Sequence, residues 1–109
     1  MVAGGKMKTI TICGSHKFKN EITKAALKTE LAGNNVLIPI FPTDDSCHFD
    51  KDETTILQKM HKERIKMSDA ILVVDVDGYI GSATKSEIEF AKSLNKEILY
   101  YSDILGEKK

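Results

Sequence analysis

Five consecutive apolar residues, Ala70-Ile71-Leu72-Val73-Val74, run directly into Asp75-Val76-Asp77-Gly78-Tyr79-Ile80-Gly81. The run is short and rich in β-branched side chains, so it reads as a strand buried on both faces. Such a strand needs helices above and below it, which restricts the chain to layered α/β folds. Asp75 and Asp77 then fall where the strand ends, and Gly78 and Gly81 let the chain turn. A helix is predicted from Thr84 to Leu94. In open α/β sheets, ligands collect beyond the carboxyl ends of the strands and at helix N-termini. The segment 75–91 is therefore where chemistry is expected.

The rest of the chain repeats the same alternation. Thr9-Ile10-Thr11-Ile12-Cys13 is a first strand, closed by Gly14-Ser15, and 16–19 form a loop. Asn20 is the expected N-cap of a first helix, which carries Ile22, Ala25, Ala26, Leu27 and Leu31 and stops at Gly33-Asn34. Asn35 to Ile40 reads as a second strand, with Pro39 at its end or edge. Residues 41–52 are polar and punctuated, a long loop of the kind that often serves as a mobile lid. A second helix is expected from Thr54 or Thr55 to Ser68, and a fourth strand from Glu97 to Tyr101, with a last turn over 102–105. Strands alternating with helices imply parallel pairing and right-handed crossovers. The expected fold is a small doubly wound, flavodoxin- or Rossmann-like α/β domain. Its four-stranded parallel sheet has the order 2-1-3-4, with helices on both faces. Gly14-Ser15 and Asp75–Asp77 then face each other across the switch point.

The 109 residues fit one domain, expected over 7–105, with a disordered lead-in at 1–6 and a charged tail at 106–109. Sixteen basic residues balance sixteen acidic ones and are scattered, which argues against a nucleic acid polymer as partner. No stretch suits a membrane span or a secretion signal. Cys13 in a strand and Cys47 in a loop do not make a disulfide framework, so free thiols in the cytoplasm are expected.

Glu87 is the sharpest candidate for chemistry. A carboxylate ionised at a helix N-terminus on the sheet's carboxyl edge can attack an electrophilic carbon. The competing reading is a capping box, Thr84-x-x-Glu87. Ser82, Thr84 and Ser86 suit a phosphate or a sugar hydroxyl, or else cap the helix. Tyr79 can stack on a ligand ring or pack against another subunit. The glycine loop matches neither a Walker loop nor a dinucleotide fingerprint. Cys47-His48 with Asp44, Asp45 and Asp50 matches no common zinc spacing and reads as a solvated loop. His61 lies on the second helix, either at the surface or facing the crevice.

Together these residues resemble the nucleoside 2-deoxyribosyltransferase-like superfamily, which includes deoxynucleoside 5′-monophosphate N-glycosidases. The resemblance covers Thr9 to about Tyr101. It rests on Ile12-Cys13-Gly14-Ser15, on Lys66-Met67-Ser68-Asp69-Ala70-Ile71-Leu72-Val73-Val74, and on Ser86-Glu87-Ile88-Glu89-Phe90-Ala91 followed by Lys96-Glu97-Ile98-Leu99. It implies that Glu87 is the nucleophilic glutamate of the family signature and that Gly14 and Ser15 help to bind sugar or phosphate. Three positions depart from the pattern. Glu89 replaces the signature glycine, His61 stands where catalytic members carry an aspartate, and Thr11 stands where a tyrosine is often found.

The resulting expectation is cleavage or transfer at the N-glycosidic bond of a nucleoside or nucleoside 5′-monophosphate. Glu87, Asp75 and Asp77 are the candidate catalytic residues. Gly14, Ser15, His61, Gly78, Tyr79, Gly81, Ser82 and Ser86 are the candidate substrate-binding residues. The resemblance implies no metal and no cofactor. The expected partners are a small-molecule nucleoside or nucleotide and further copies of the chain, as a homodimer or higher oligomer. The alternative is a non-catalytic nucleotide-binding or sensing module built on the same crevice.

Overall fold

The computed structural model describes residues 6–107; residues 1–5 of the expected lead-in at 1–6 and residues 108–109 of the expected tail at 106–109 lie outside them. Four strands form one all-parallel sheet: β1 (Thr9–Cys13), β2 (Asn35–Leu37), β3 (Ala70–Val73) and β4 (Glu97–Tyr100). Their order is β2-β1-β3-β4, as the alternation predicts. Four helices connect and flank them: α1 (Lys19–Leu31), α2 (Lys51–Met67), α3 (Ser82–Ser93) and α4 (Tyr101–Glu107).

The period of two along the strands divides the core into two layers. Ile10 and Ile12 of β1 and Ala70 and Leu72 of β3 pack with Ile22 and Ala25 of α1, against Tyr101 and Ile104 of α4. Cys13, Ile71 and Val73 emerge on the other face and pack with Ile65 of α2 and Ile88 and Ala91 of α3. Ile10, Ile12, Ile65, Ile71 and Leu72 are wholly buried, and each contributes about 2 kcal/mol relative to exposure. This second face also buries a polar link: the hydroxyls of Thr11 and Ser68 lie 2.6 Å apart, and Ser68 donates to the Arg64 carbonyl at 2.8 Å. The link ties the C-terminal end of α2 to β1 and so fixes the helix that carries His61.

Several element ends differ from expectation for local reasons. A short 3-10 turn, His16–Phe18, leads straight into α1, so the helix starts before Asn20, and Asn20 is not its cap. β2 ends at Leu37, before Pro39, which cannot donate to a ladder. α2 begins ahead of Thr54 because Asp50 and Glu53 close a reciprocal capping box. Asp50 accepts from the Glu53 N–H at 2.8 Å, and Glu53 accepts from the Asp50 N–H at 3.0 Å. Tyr101 opens α4 rather than ending β4, and α4 extends through 106–107 of the expected tail.

Candidate functional site

Beyond the carboxyl ends of β1 and β3, a cleft of about 370 Å³ opens between the end of β1, the residues after β2, α2 and the start of α3. Its position is the switch point, where strand order reverses. Gly14 and Ser15 form the β1 wall. Gly14 packs closely: a Cβ there would sit 3.2 Å from Ile22 Cδ1 and 3.3 Å from Val74 Cβ, tight enough that both neighbours would have to shift. The Ser15 hydroxyl accepts from the Lys17 N–H at 3.4 Å and so caps the turn that follows.

Glu87 lines the same cleft from α3. The capping-box reading fails on geometry. The N-cap is Gly81, which has no side chain to cap with, and helical residues begin at Ser82. Glu87 is thus in the second turn, correcting the expected first-turn placement, and no acidic residue occupies the first turn. Thr84 is buried within the helix. The Glu87 carboxylate is left facing Cys13, His61 and Lys62. Its side chain is 13% exposed, and burial raises its pKa to about 7, against the opposing pull of a hydrogen bond from Cys13 and the charge of Lys62.

His61 is buried and lines the cleft rather than lying at the surface. Its Nε2 lies 3.7 Å from Cys13 Sγ and 3.9 Å from Glu87 Oε1, and its Nδ1 lies 3.1 Å from Arg64 Nη1. Burial, then the Arg64 charge, lowers its pKa to about 4, so the ring is neutral at neutral pH and forms no ion pair with Glu87. Burial, then the Glu87 charge, pushes the Cys13 thiol well up.

Among the described residues, Cys13, His61 and Glu87 are the one group of His, Cys, Asp and Glu residues gathered closely enough to share an ion, with ligand atoms within 4.8 Å of one another. Their chemistry does not suit one. A guanidinium only donates, so His61 Nδ1 must accept from Arg64, and the ring proton sits on Nε2. Nε2 is the atom a metal would need unprotonated. The loop group is engaged otherwise: Asp44 accepts from Ser46 and Asp50 caps α2.

The remaining expected site residues divide. Tyr79, Gly81 and Ser82 line the cleft, and Ser86 lines a second, smaller pocket of about 230 Å³ that shares Glu87 with it. The Tyr79 ring sits under Lys17 Nζ at 3.6 Å and edge-on to Phe18. Asp75, Asp77 and Gly78 do not line it. Asp75 is buried with both oxygens bound to Ser102, while Asp77 and Gly78 form an exposed left-handed turn at φ 52° and 78°. Sequence reasoning missed Cys13 and Arg64 as members of the site. It also missed Thr54, Leu57 and Gln58, which line the cleft one and two turns before His61. The helical spacing of 54, 57, 58, 61 and 64 on one face of α2 was the signal.

No family model and no curated protein matches the sequence. Solved structures do. A 2-deoxyribosyltransferase from Leishmania mexicana is similar with TM-score 0.62 and 21% identity, over 85% of this chain and 63% of that one. A conserved protein from Enterococcus faecalis V583 is similar with TM-score 0.59 and 14% identity, over 87% of this chain and 63% of that one. The chain thus has a 2-deoxyribosyltransferase-like fold and spans less than two thirds of the length of either neighbour. Among the described residues, no helix is long and apolar enough to cross a membrane.

Proposed function

We propose that this chain acts at the N-glycosidic bond of a nucleoside or nucleoside 5′-monophosphate, with Glu87 as nucleophile. The observation that carries the reading is the placement of the Glu87 carboxylate. It lines a switch-point cleft, from the second turn of α3, and is not consumed by capping. In its ionised form it attacks the anomeric carbon, and the base leaves with the bonding electron pair. A glycosyl ester on Glu87 results, which water or a second base resolves with overall retention. Ser15 and Ser82 supply hydroxyls to the sugar or its phosphate, and Tyr79 offers a ring edge to the base. With its pKa near 4, His61 serves as a neutral N–H donor and not as an acid. The likeness to a 2-deoxyribosyltransferase supports the substrate class.

A second reading, a nucleotide-binding module without turnover, is favoured by one observation. Among the described residues, Glu87 is the one carboxylic acid that lines the cleft, and no other residue lining it could protonate the leaving base as a carboxylic acid. One panel separates the two. The protein is incubated with nucleosides and their 5′-monophosphates, with and without a second base, and released base is measured by chromatography. Release that rises with pH through about 7, as Glu87 ionises, supports the enzyme. Saturable binding without release supports the module.

A further inference from the structure

Three side chains beneath Glu87 have hydrogen-bonding roles that one fixed charge determines. Arg64 has donors and no acceptor. It lies 3.1 Å from His61 Nδ1, so that nitrogen accepts and carries no proton. The neutral ring must then hold its proton on Nε2, which lies 3.7 Å from Cys13 Sγ. The Nε2–H is shared between the sulfur and the Ile12 carbonyl, which also faces the ring, and the thiol proton is left to donate elsewhere. Glu87 is the carboxylate that the thiol interacts with, its oxygen lying within 4.8 Å of Cys13 Sγ and His61 Nε2. Cys13 and His61 are both buried, which strengthens the hydrogen bonds they make.

We propose that Arg64, His61 and Cys13 form a one-way hydrogen-bond chain that ends on Glu87, orients its carboxylate and favours the ionised form against the effect of burial. Donation runs from the guanidinium to Nδ1, from Nε2–H to sulfur, and from S–H to the carboxylate. Cys13 and His61 are positioning residues for Glu87, and Arg64 sets the direction. The other groups facing Glu87 are Lys62 of α2, whose charge also favours the ionised form, and the cleft itself. The kinetic consequence rests on the reading of Glu87 as nucleophile; the proton arrangement does not.

The test reads protons directly in the full chain without substrate. The ¹⁵N shifts of the His61 ring, assigned among the three histidines with His61→Asn, distinguish protonated from unprotonated nitrogens. At pH 7 the expected result is a protonated Nε2 and a bare Nδ1, and Arg64→Met should give mixed tautomers. Carboxylate ¹³C shifts then follow the titration of Glu87. Cys13→Ala should raise its midpoint by about one pH unit, because an ionised acceptor loses its donor. Cys13→Ser, which keeps a donor, should not raise it. If Cys13→Ala does not fold, Arg64→Met and Cys13→Ser carry the comparison, with a raised midpoint expected in the first alone. A protonated Nδ1 in the unaltered protein overturns the chain. So does a Glu87 midpoint unmoved in both Cys13→Ala and Arg64→Met, or stoichiometric Zn²⁺ binding that Cys13→Ser abolishes. Base release without this titration pattern would leave the proposed activity standing and remove the chain. The pattern without base release would do the reverse.

Discussion

Ser102 occupies both oxygens of Asp75. Its backbone N–H donates to one at 2.9 Å and its hydroxyl to the other at 2.6 Å. The pair joins the end of β3 to the first turn of α4, where unpaired N–H groups need an acceptor. Asp75 is therefore engaged in holding α4 on the sheet.

The first prediction follows from that engagement. Asp75→Ala should destabilise the fold by about 1 kcal/mol, because the N–H and hydroxyl of Ser102 in the first turn of α4 lose their acceptor and, Ser102 being exposed, turn to water instead. Asp75→Asn should cost less, since the amide oxygen still accepts from the N–H. Urea unfolding of both variants measures this. Loss of base release by Asp75→Asn at unchanged stability would return Asp75 to the chemistry.

The second concerns pH. Folding raises the Glu87 pKa from its ordinary 4.5 to about 7, so the folded protein binds that proton more tightly than the unfolded chain. Its contribution to stability is complete below about pH 4.5 and is lost as pH rises through 7, a loss on the order of 3 kcal/mol by pH 8. His61 acts in the opposite sense. Its pKa falls from 6.5 to about 4, so its contribution is complete above 6.5 and is lost as pH falls through 4. Glu87→Gln should therefore be more stable than the unaltered protein at pH 8, with the gain absent at pH 4. Thermal unfolding across that range tests it; a difference independent of pH would contradict it.

The third concerns the segment after β2. Ile40 and Phe49 line the cleft, and most of the residues between them are exposed. A nucleotide that fills the cleft should slow amide exchange over 41–49 and leave the far face of the sheet unchanged. Unchanged exchange there, with binding established separately, would contradict a closing role.

The fold was legible because its signals are local. Ile10 and Ile12, or Ala70 to Val74, announce strands within five residues, and the alternation with helices implies a parallel doubly wound sheet, for which 2-1-3-4 is one of the common orders. The site was legible only in part. Thr84-x-x-Glu87 has the spacing of a capping box, yet the helix starts after Gly81, a cap that sequence cannot register because it has no side chain. Asp50-x-x-Glu53 is a true box and was read as loop because the apolar face of α2 begins later. Asp75 reads as a catalytic candidate in the sequence because its partner lies far along the chain, at Ser102. Cys13 read as core because strand periodicity says only that it is buried, not that it meets His61.

The most direct measurement of the central claim is chemical. A 2-fluoro sugar analogue that forms the glycosyl ester but resolves slowly should leave one adduct per chain, and peptide mass spectrometry should place it on Glu87. Glu87→Gln should remain folded, form no adduct and release no base. An adduct on Glu89, Asp75 or Asp77, or undiminished release by Glu87→Gln, would contradict the account.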